Sequence, residues 1–559
     1  MRVFTRSALW LMVCMVSAVS LAIGATISGT VKGPAGKPFE GAFVEAQNTT
    51  TNISTDVLSH ADGRYTVPNL PAGTYRLTIR AVGYKAVPQS ETLQSADQHA
   101  KADFALQKGA VSWTDLSVWQ GRTLLPDGPG KDLIFGAKGK SGGLCFACHE
   151  FQTRMASRRL NYQGWLGLVN YMRYDAVSYF IGPNGTFPFS NQMAGQVATY
   201  LTQVFGVDST LPASPADLPS YQATVRNFSN EAMNIVYVVY PTPDQTWLPF
   251  QMYPPTAKGY PSDGSIWVAN FGNANEVDRI DPVTGKAQVY HAPCSHAANI
   301  HAIEIGPRGD AWFGESGCNS VGRVDVKTGK VTEYYEKYPP GLEWGSRGGE
   351  RHDAHAMLVD GKLYVFSSGL PPSRLDPATG KFTQVPGLAH SYDVYEDKLN
   401  GNLWFTNIYK GGKLSLVDPK TLKTVMQFAP SVDPEHFAPH RIGISEKGVV
   451  WLTCYGNRVC RFDPKTKAFK IYTPLGPNQS DYAIGLDGAG NVWYSMEDLD
   501  TLQRIDPKTG QIVEYPFPYS EITMRKFWTD TKGRIWTTSP SNGVVVYWYL
   551  AGGDTRAAK

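Results

Sequence analysis

Asp263–Gly285 reads DGSIWVANFGNANEVDRIDPVTG, and Ala489–Gly510 reads AGNVWYSMEDLDTLQRIDPKTG. Each places an aromatic anchor in a short apolar run, then a hairpin, then a turn that opens with aspartate. The unit recurs about every 40 to 50 residues, with anchors at Trp267, Trp312, Tyr364, Trp404, Trp451, Trp493 and Trp536. Asp-Pro-x-Thr-like turns follow at Asp281, Asp325, Asp376, Asp418, Asp463 and Asp506. An aspartate that caps its own turn, usually with a proline of fixed φ behind it, reverses a strand. Six such turns for seven anchors leave the last repeat one strand short, and the strand-like Asn234–Tyr240 segment can supply it from the N-terminal side. The pattern predicts a seven-bladed β-propeller of four-stranded blades over residues 230–550.

Eight of the eleven histidines lie between His291 and His440. Eleven residues before their anchors stand His301, His440, Tyr482 and Arg525, and His355 stands nine before Tyr364. Equivalent blade positions ring one mouth of the channel, so these five residues are the candidate catalytic or binding set. Glu315, three residues after Trp312, is the acidic candidate for a base or a metal ligand. Asn270 and Asn407 hold the same place in their repeats, and His352, His390 and His436 lie in adjoining loops.

These repeats resemble the virginiamycin B lyase (streptogramin lyase) family, over roughly three fifths of the chain. The resemblance rests on Pro439-His440-Arg441-Ile442, His301-Ala302-Ile303, His355-Ala356-Met357 and Trp312-Phe313-Gly314-Glu315. It implies a central face that binds a peptide-like organic substrate and opens an ester by elimination, with a His base and Mg²⁺. Asn407 and Cys454 replace the family glutamate in other repeats, which weakens the expectation of Mg²⁺ at Glu315.

A different chemistry stands upstream. Cys145-Phe-Ala-Cys148-His149 is a C-x-x-C-H pentapeptide. Two thiols at this spacing can add to the two vinyls of a haem, and His149 then meets the iron. No second C-x-x-C or H-x3–5-H lies nearby to complete a zinc site. No other histidine falls between His99 and His291, so the sixth ligand is expected to be Met172, with Met193 the alternative. Residues 143–207, ending in an amphipathic run through Val197, Tyr200, Leu201 and Val204, resemble a small class I cytochrome c and imply covalent haem c. Residues 109–142, rich in Gly, Lys and Pro, are read as a linker.

Residues 1–24 carry Arg2 and Arg6, an apolar run and small residues near Gly24, the pattern of a signal peptide. Residues 25–108 alternate apolar and polar positions and break at Gly/Pro turns, which predicts a small β-sandwich. Gly29-Thr30-Val31, Asp62-Gly63-Arg64-Tyr65 and Pro71-Ala72-Gly73-Thr74-Tyr75 resemble the carboxypeptidase regulatory-like family, which implies a transthyretin-like or Ig-like accessory sandwich. The expected fold class is therefore mainly β, with a sandwich, a small α-helical haem domain and a propeller.

The 559 residues carry a net charge of +3 with no basic run, which argues against nucleic acid. No later segment is apolar enough to span a bilayer, so no transmembrane span is expected after signal cleavage. Of seven cysteines, Cys14 leaves with the signal and two would hold haem. Cys454 and Cys460 flank a hairpin turn and are expected to pair, with Cys294 to Cys318 as the second disulfide, which suits a periplasmic or secreted protein. The combination favours an exported oxidoreductase whose propeller binds an organic substrate and whose haem passes electrons to a periplasmic partner. The alternatives are a Mg²⁺-dependent carbon–oxygen lyase with an accessory cytochrome module, and a non-enzymatic binding protein.

Overall fold

Each turn of the repeat is closed by its own aspartate. Asp281 Oδ1 accepts from the N–H groups of Val283 and Thr284, and Asp325, Asp418 and Asp506 repeat the arrangement. Gly285 follows with φ 70°, a left-handed conformation that costs glycine nothing. The strands that carry the tryptophan anchors are buried along their length, and each tryptophan anchor is at most 2% exposed.

The structure, a computed structural model, describes residues 24–136, 151–176, 189–242 and 248–552, apart from 258, 261, 273, 296, 338–350, 370, 455 and 478–479. Six four-stranded antiparallel sheets follow one another over 248–291, 300–335, 351–384, 394–428, 442–472 and 481–516. A seventh unit is built from Trp528–Thr529, Ile535–Ser539, Val544–Leu550 and, from the N-terminal side, Ile235–Pro241. The innermost strands of successive units touch in order, and Ile535–Ser539 lies against the innermost strand of the first. No sheet closes on itself, so this propeller-like ring is closed by packing and by a few bonds, such as Thr538 Oγ1 to the Phe250 carbonyl at 2.8 Å. Disulfides join Cys294 to Cys318 and Cys454 to Cys460.

The N-terminal β domain is not a loose appendage. Its strand Ser54–Leu58 pairs antiparallel with Ile235–Pro241, Val57 opposite Val236 and Thr55 opposite Val238, so the seventh unit and half the sandwich form one eight-stranded sheet. Thr55 lies mid-strand between two partners, and proline there removes a ladder bond in a sheet centre. Thr55→Pro is expected to cost about 3 kcal/mol or more, read as a lower urea midpoint together with faster proteolysis between sandwich and ring.

Residues 109–142 differ from the expected linker. Among the described part, Val118–Leu124 and Pro129–Phe135 are helices, the first capped by Ser117 with Gln120 returning the bond. They pack with Tyr162–Tyr171 and Asn191–Phe205 around Trp113, Phe151, Trp165 and Phe205. Gly121 is required there: a Cβ would lie 2.2 Å from the Phe151 ring. The glycine and proline content signalled close packing and helix starts, not an open chain.

This helical body leans on the ring. Thr153 donates its N–H and its hydroxyl to the Glu521 carboxylate at 3.2 and 2.8 Å, and Trp119 packs against the sixth unit beside Leu499.

Candidate functional site

The channel mouth is lined by one side chain from each of the seven units. Strand irregularities aim four of them: the register slips at Phe250, at His301, at His352-Asp353 and at Tyr482-Ala483. A bulge of this kind re-aims a side chain without ending the strand. In the other three units the innermost strand starts only at Val394, Ile442 and Trp528, and Tyr392, His440 and Arg525 occupy the segment just before it.

These seven residues form a closed girdle. Phe250 meets His301 edge-on at 4.7 Å between centroids, His301 meets His352 at 5.2 Å, and His352 meets Tyr392 at 5.6 Å. Tyr392 stacks on His440 at 4.5 Å and His440 meets Tyr482 at 4.1 Å. The Arg525 guanidinium then lies 4.6 Å over Tyr482 and 5.0 Å over Phe250, which closes the circle. The Tyr392 and Tyr482 hydroxyls share a 2.5 Å hydrogen bond. His440 is fully buried and His301 5% exposed, whereas His352, Tyr392 and Tyr482 stay half-exposed. The girdle is therefore reached by solvent on its tyrosine and His352 side.

Burial pushes His301 and His440 well below the ordinary imidazole pKa, and for both Arg441 and Arg525 press the same way. Both rings are thus neutral at pH 7 and able to accept a proton. Arg525 keeps a cation within the same girdle. Neutral bases, two hydroxyls and a guanidinium in one ring can bind an oxygen-rich group, take a proton from it and hold the negative charge that results.

The residues next in sequence make a buried ionic layer beneath. Arg441 Nη1 lies 2.9 Å from Asp353 Oδ2 and 3.5 Å from Asp393 Oδ1, and Lys526 Nζ lies 3.2 Å from Asp393 Oδ1. Two acids and two bases from four units balance to neutrality. Burial alone pushes Asp393 up, but Lys526 and Arg441 outweigh it and hold this carboxyl below the usual range; burial and Asp393 raise Asp353.

His355 belongs to a third layer, not to the girdle. Its Nδ1 lies 2.6 Å from Glu304 and its Nε2 3.1 Å from Glu396. Burial opposes its charge, yet the two glutamates prevail and raise its pKa to about 9. A raised imidazole pKa adds stability that is whole below pH 6.5 and lost as pH passes 9. Thermal stability is expected to fall between about pH 6 and 10 by about 3 kcal/mol at most, a slope that should vanish in His355→Gln.

Glu315 is not one of the seven girdle residues, although it stands opposite Ile300, next to His301. It is fully buried in the second unit, its Oε2 accepts from Ser320 at 2.6 Å, and burial with nearby Glu333 raises it well above the usual carboxyl range. Asn270 bonds Asp278 at 2.5 Å and Asn407 caps the N–H of Tyr409, so neither reaches the girdle in its side-chain bonds. Mg²⁺ takes hard oxygen ligands, and the girdle offers no carboxylate. Its residues therefore do not fit Mg²⁺, and no step is routed through that ion. Cys145, Cys148 and His149 lie outside the described residues. Met172 is half-buried at the end of Tyr162–Tyr171, and Met193 packs against the helical core.

Counting back from the anchors located His301, His440, Tyr482 and Arg525. It missed Phe250, Tyr392 and His352, because bulges and unequal loops shift those three. The ionic layer had a signal in the dipeptides His352-Asp353, Tyr392-Asp393, His440-Arg441 and Arg525-Lys526, a charge following four of the seven girdle residues.

No curated protein matches the chain. Among solved structures, virginiamycin B lyase from Staphylococcus aureus is similar at 18% identity, over 56% of this chain and 99% of that one, with a TM-score of 0.47. A streptogramin B lyase is similar at 19% identity, over 58% and 100%, with a TM-score of 0.47. The WD40 β-propeller domain of Doa1 follows at 12% identity, over 55% and 99%, with a TM-score of 0.40. At these values the likenesses carry no activity to this chain. Residues 26–107 match the carboxypeptidase regulatory-like domain, and the N-terminal β domain is similar to domains of that type.

Proposed function

We propose that the chain is an exported protein whose girdle binds a small organic substrate bearing a carbonyl or carboxylate and performs acid–base chemistry on it. The observation that carries this reading is the closed ring in which two neutral imidazoles stand beside Arg525 and the Tyr392–Tyr482 pair. In the lyase form of the reading, His440 takes the proton from the carbon next to a carbonyl. That electron pair becomes the new double bond and the neighbouring C–O bond breaks. The departing oxygen takes a proton from the Tyr392–Tyr482 pair, while Arg525 holds the carbonyl oxygen as it gains charge. Product and substrate then have the same summed mass. Incubation with quinupristin and with simpler esters tests it: a ring-opened product of unchanged mass with a new double bond supports elimination, and binding without product reduces the protein to a binding role.

A second reading is redox, and one contact favours it. Thr153 lies four residues beyond His149 and is bonded to Glu521, which is itself four residues before girdle residue Arg525. Cys145, Cys148 and His149 would hold haem c, with Met172 or Met193 as the sixth ligand, and the apolar cluster around Phe151, Trp165 and Phe189 offers the dry walls that such a group needs. The haem, when bound, would supply one-electron transfer to a periplasmic partner. A pyridine haemochrome spectrum of protein exported from a host with c-type maturation tests this, since a Cys145→Ala/Cys148→Ala variant with the same spectrum contradicts it.

A further inference from the structure

Beside the girdle, in the fourth unit, the 385–390 connection and the 407–413 loop enclose an open recess of about 230 Å³. Its wall toward the girdle is Thr406, which is buried and holds both neighbours: its N–H is donated to the Asp393 carbonyl at 3.1 Å and its hydroxyl to the His440 carbonyl at 2.6 Å. Glycines shape the other walls. Gly411 has φ 72°, and a Cβ on Gly412 would lie 2.2 Å from the Asn407 carbonyl oxygen, so the loop folds tightly, with the Gly412 N–H donated to the Tyr409 carbonyl at 2.8 Å. Leu388 and Phe405 give the recess apolar walls; its polar side chains include Asn407, Ser415, Gln427 and His390, with one cation, Lys413, and no carboxylate. The exposed Tyr409 ring stands edge-on to His390 at 4.8 Å.

We propose that this recess is a binding subsite for a small polyhydroxylated carboxylate, about the size of one sugar acid. The volume lies below the roughly 300 Å³ at which pockets for drug-sized ligands begin. An ammonium with amides and hydroxyls, and no opposing acid, suits one negative charge among several hydroxyls. Thr406 lines the recess and its hydroxyl is bonded to the His440 carbonyl, so the subsite reads one end of a molecule whose other end can reach the girdle; this last clause rests on the girdle being a substrate site, and the subsite itself does not.

Calorimetric titration of the full chain with glucuronate, and with glucose as its uncharged counterpart, tests the proposal. Glucuronate is expected to bind, glucose about ten-fold more weakly. Lys413→Glu should weaken glucuronate by about ten-fold or more, while Lys410→Glu, on the same loop outside the recess, should leave it unchanged. The proposal is overturned by no glucuronate binding up to about 50 mM, a range that covers affinities of only a few kcal/mol, by equal binding of glucose, or by unchanged binding to Lys413→Glu. Loss of binding in His440→Gln alone would place the carboxylate in the girdle and overturn the subsite as well. Turnover at the girdle can fail with glucuronate binding intact, so the two readings fail separately.

Discussion

Arg441→Met is expected to destabilise the ring by about 3–5 kcal/mol, the largest stability loss of any single change in the channel. The guanidinium is fully buried, bonded to Asp353 and close to Asp393, and lies 4.6 Å over the Tyr392 ring. Methionine fills much of the volume but leaves two buried carboxyls facing Lys526 alone. One must take up a proton, and burial then works against the other. Adding Asp353→Asn removes the surplus negative charge, so the double variant should recover part of the loss. Urea denaturation of the wild type and the two variants reads both effects. Equal stability of wild type and Arg441→Met would mean that the ionic layer is solvated and that the girdle above it has no firm floor.

His440→Gln is expected to lower turnover of any substrate processed at the girdle by about 10² to 10⁴-fold, the usual worth of a positioned general base. Glutamine keeps a polar side chain of similar reach but cannot accept and release a proton near neutrality. Because burial, Arg441 and Arg525 hold the imidazole pKa low, the wild-type rate should not fall as pH drops from 8 to 6, as it would for a base of ordinary imidazole pKa. His436→Gln, an exposed change outside the girdle, is the control and should be silent. A His440→Gln variant that folds normally with full turnover would remove His440 from the chemistry. A parallel fall in His301→Gln would say that the two imidazoles act together, since His301 Nε2 lies 3.5 Å from the Tyr392 hydroxyl.

The features legible in the sequence are those written in short-range chemistry. A capping aspartate acts on the next two or three residues, and a strand anchor on its immediate neighbours, so Asp281 and Trp267 announce themselves. The strand that completes the seventh unit was legible by subtraction, from six turns for seven anchors. The girdle was half legible, because a fixed count from the anchor holds only where loop lengths are equal. The two-residue bulge at His352-Asp353 moved the third-unit position from His355 to His352, and Tyr392 sits in a segment whose strand starts late. Asp353, Asp393, Arg441 and Lys526 each follow a girdle residue in sequence, but charge alone does not reveal that four units bury it together. The helices of 118–135 were hidden by glycines that serve close packing, Gly121 against Phe151 and Gly130 against Tyr200.

The central claim is that the channel mouth holds neutral imidazoles above a buried ionic floor, and histidine side-chain ¹⁵N NMR of the full chain across pH 5 to 10 tests it without any substrate. The account predicts that His301 and His440 stay neutral where a solvated imidazole takes up its proton, while His355 remains doubly protonated up to about pH 9. Titration of His440 near pH 6.5, as in a solvated imidazole, would contradict it.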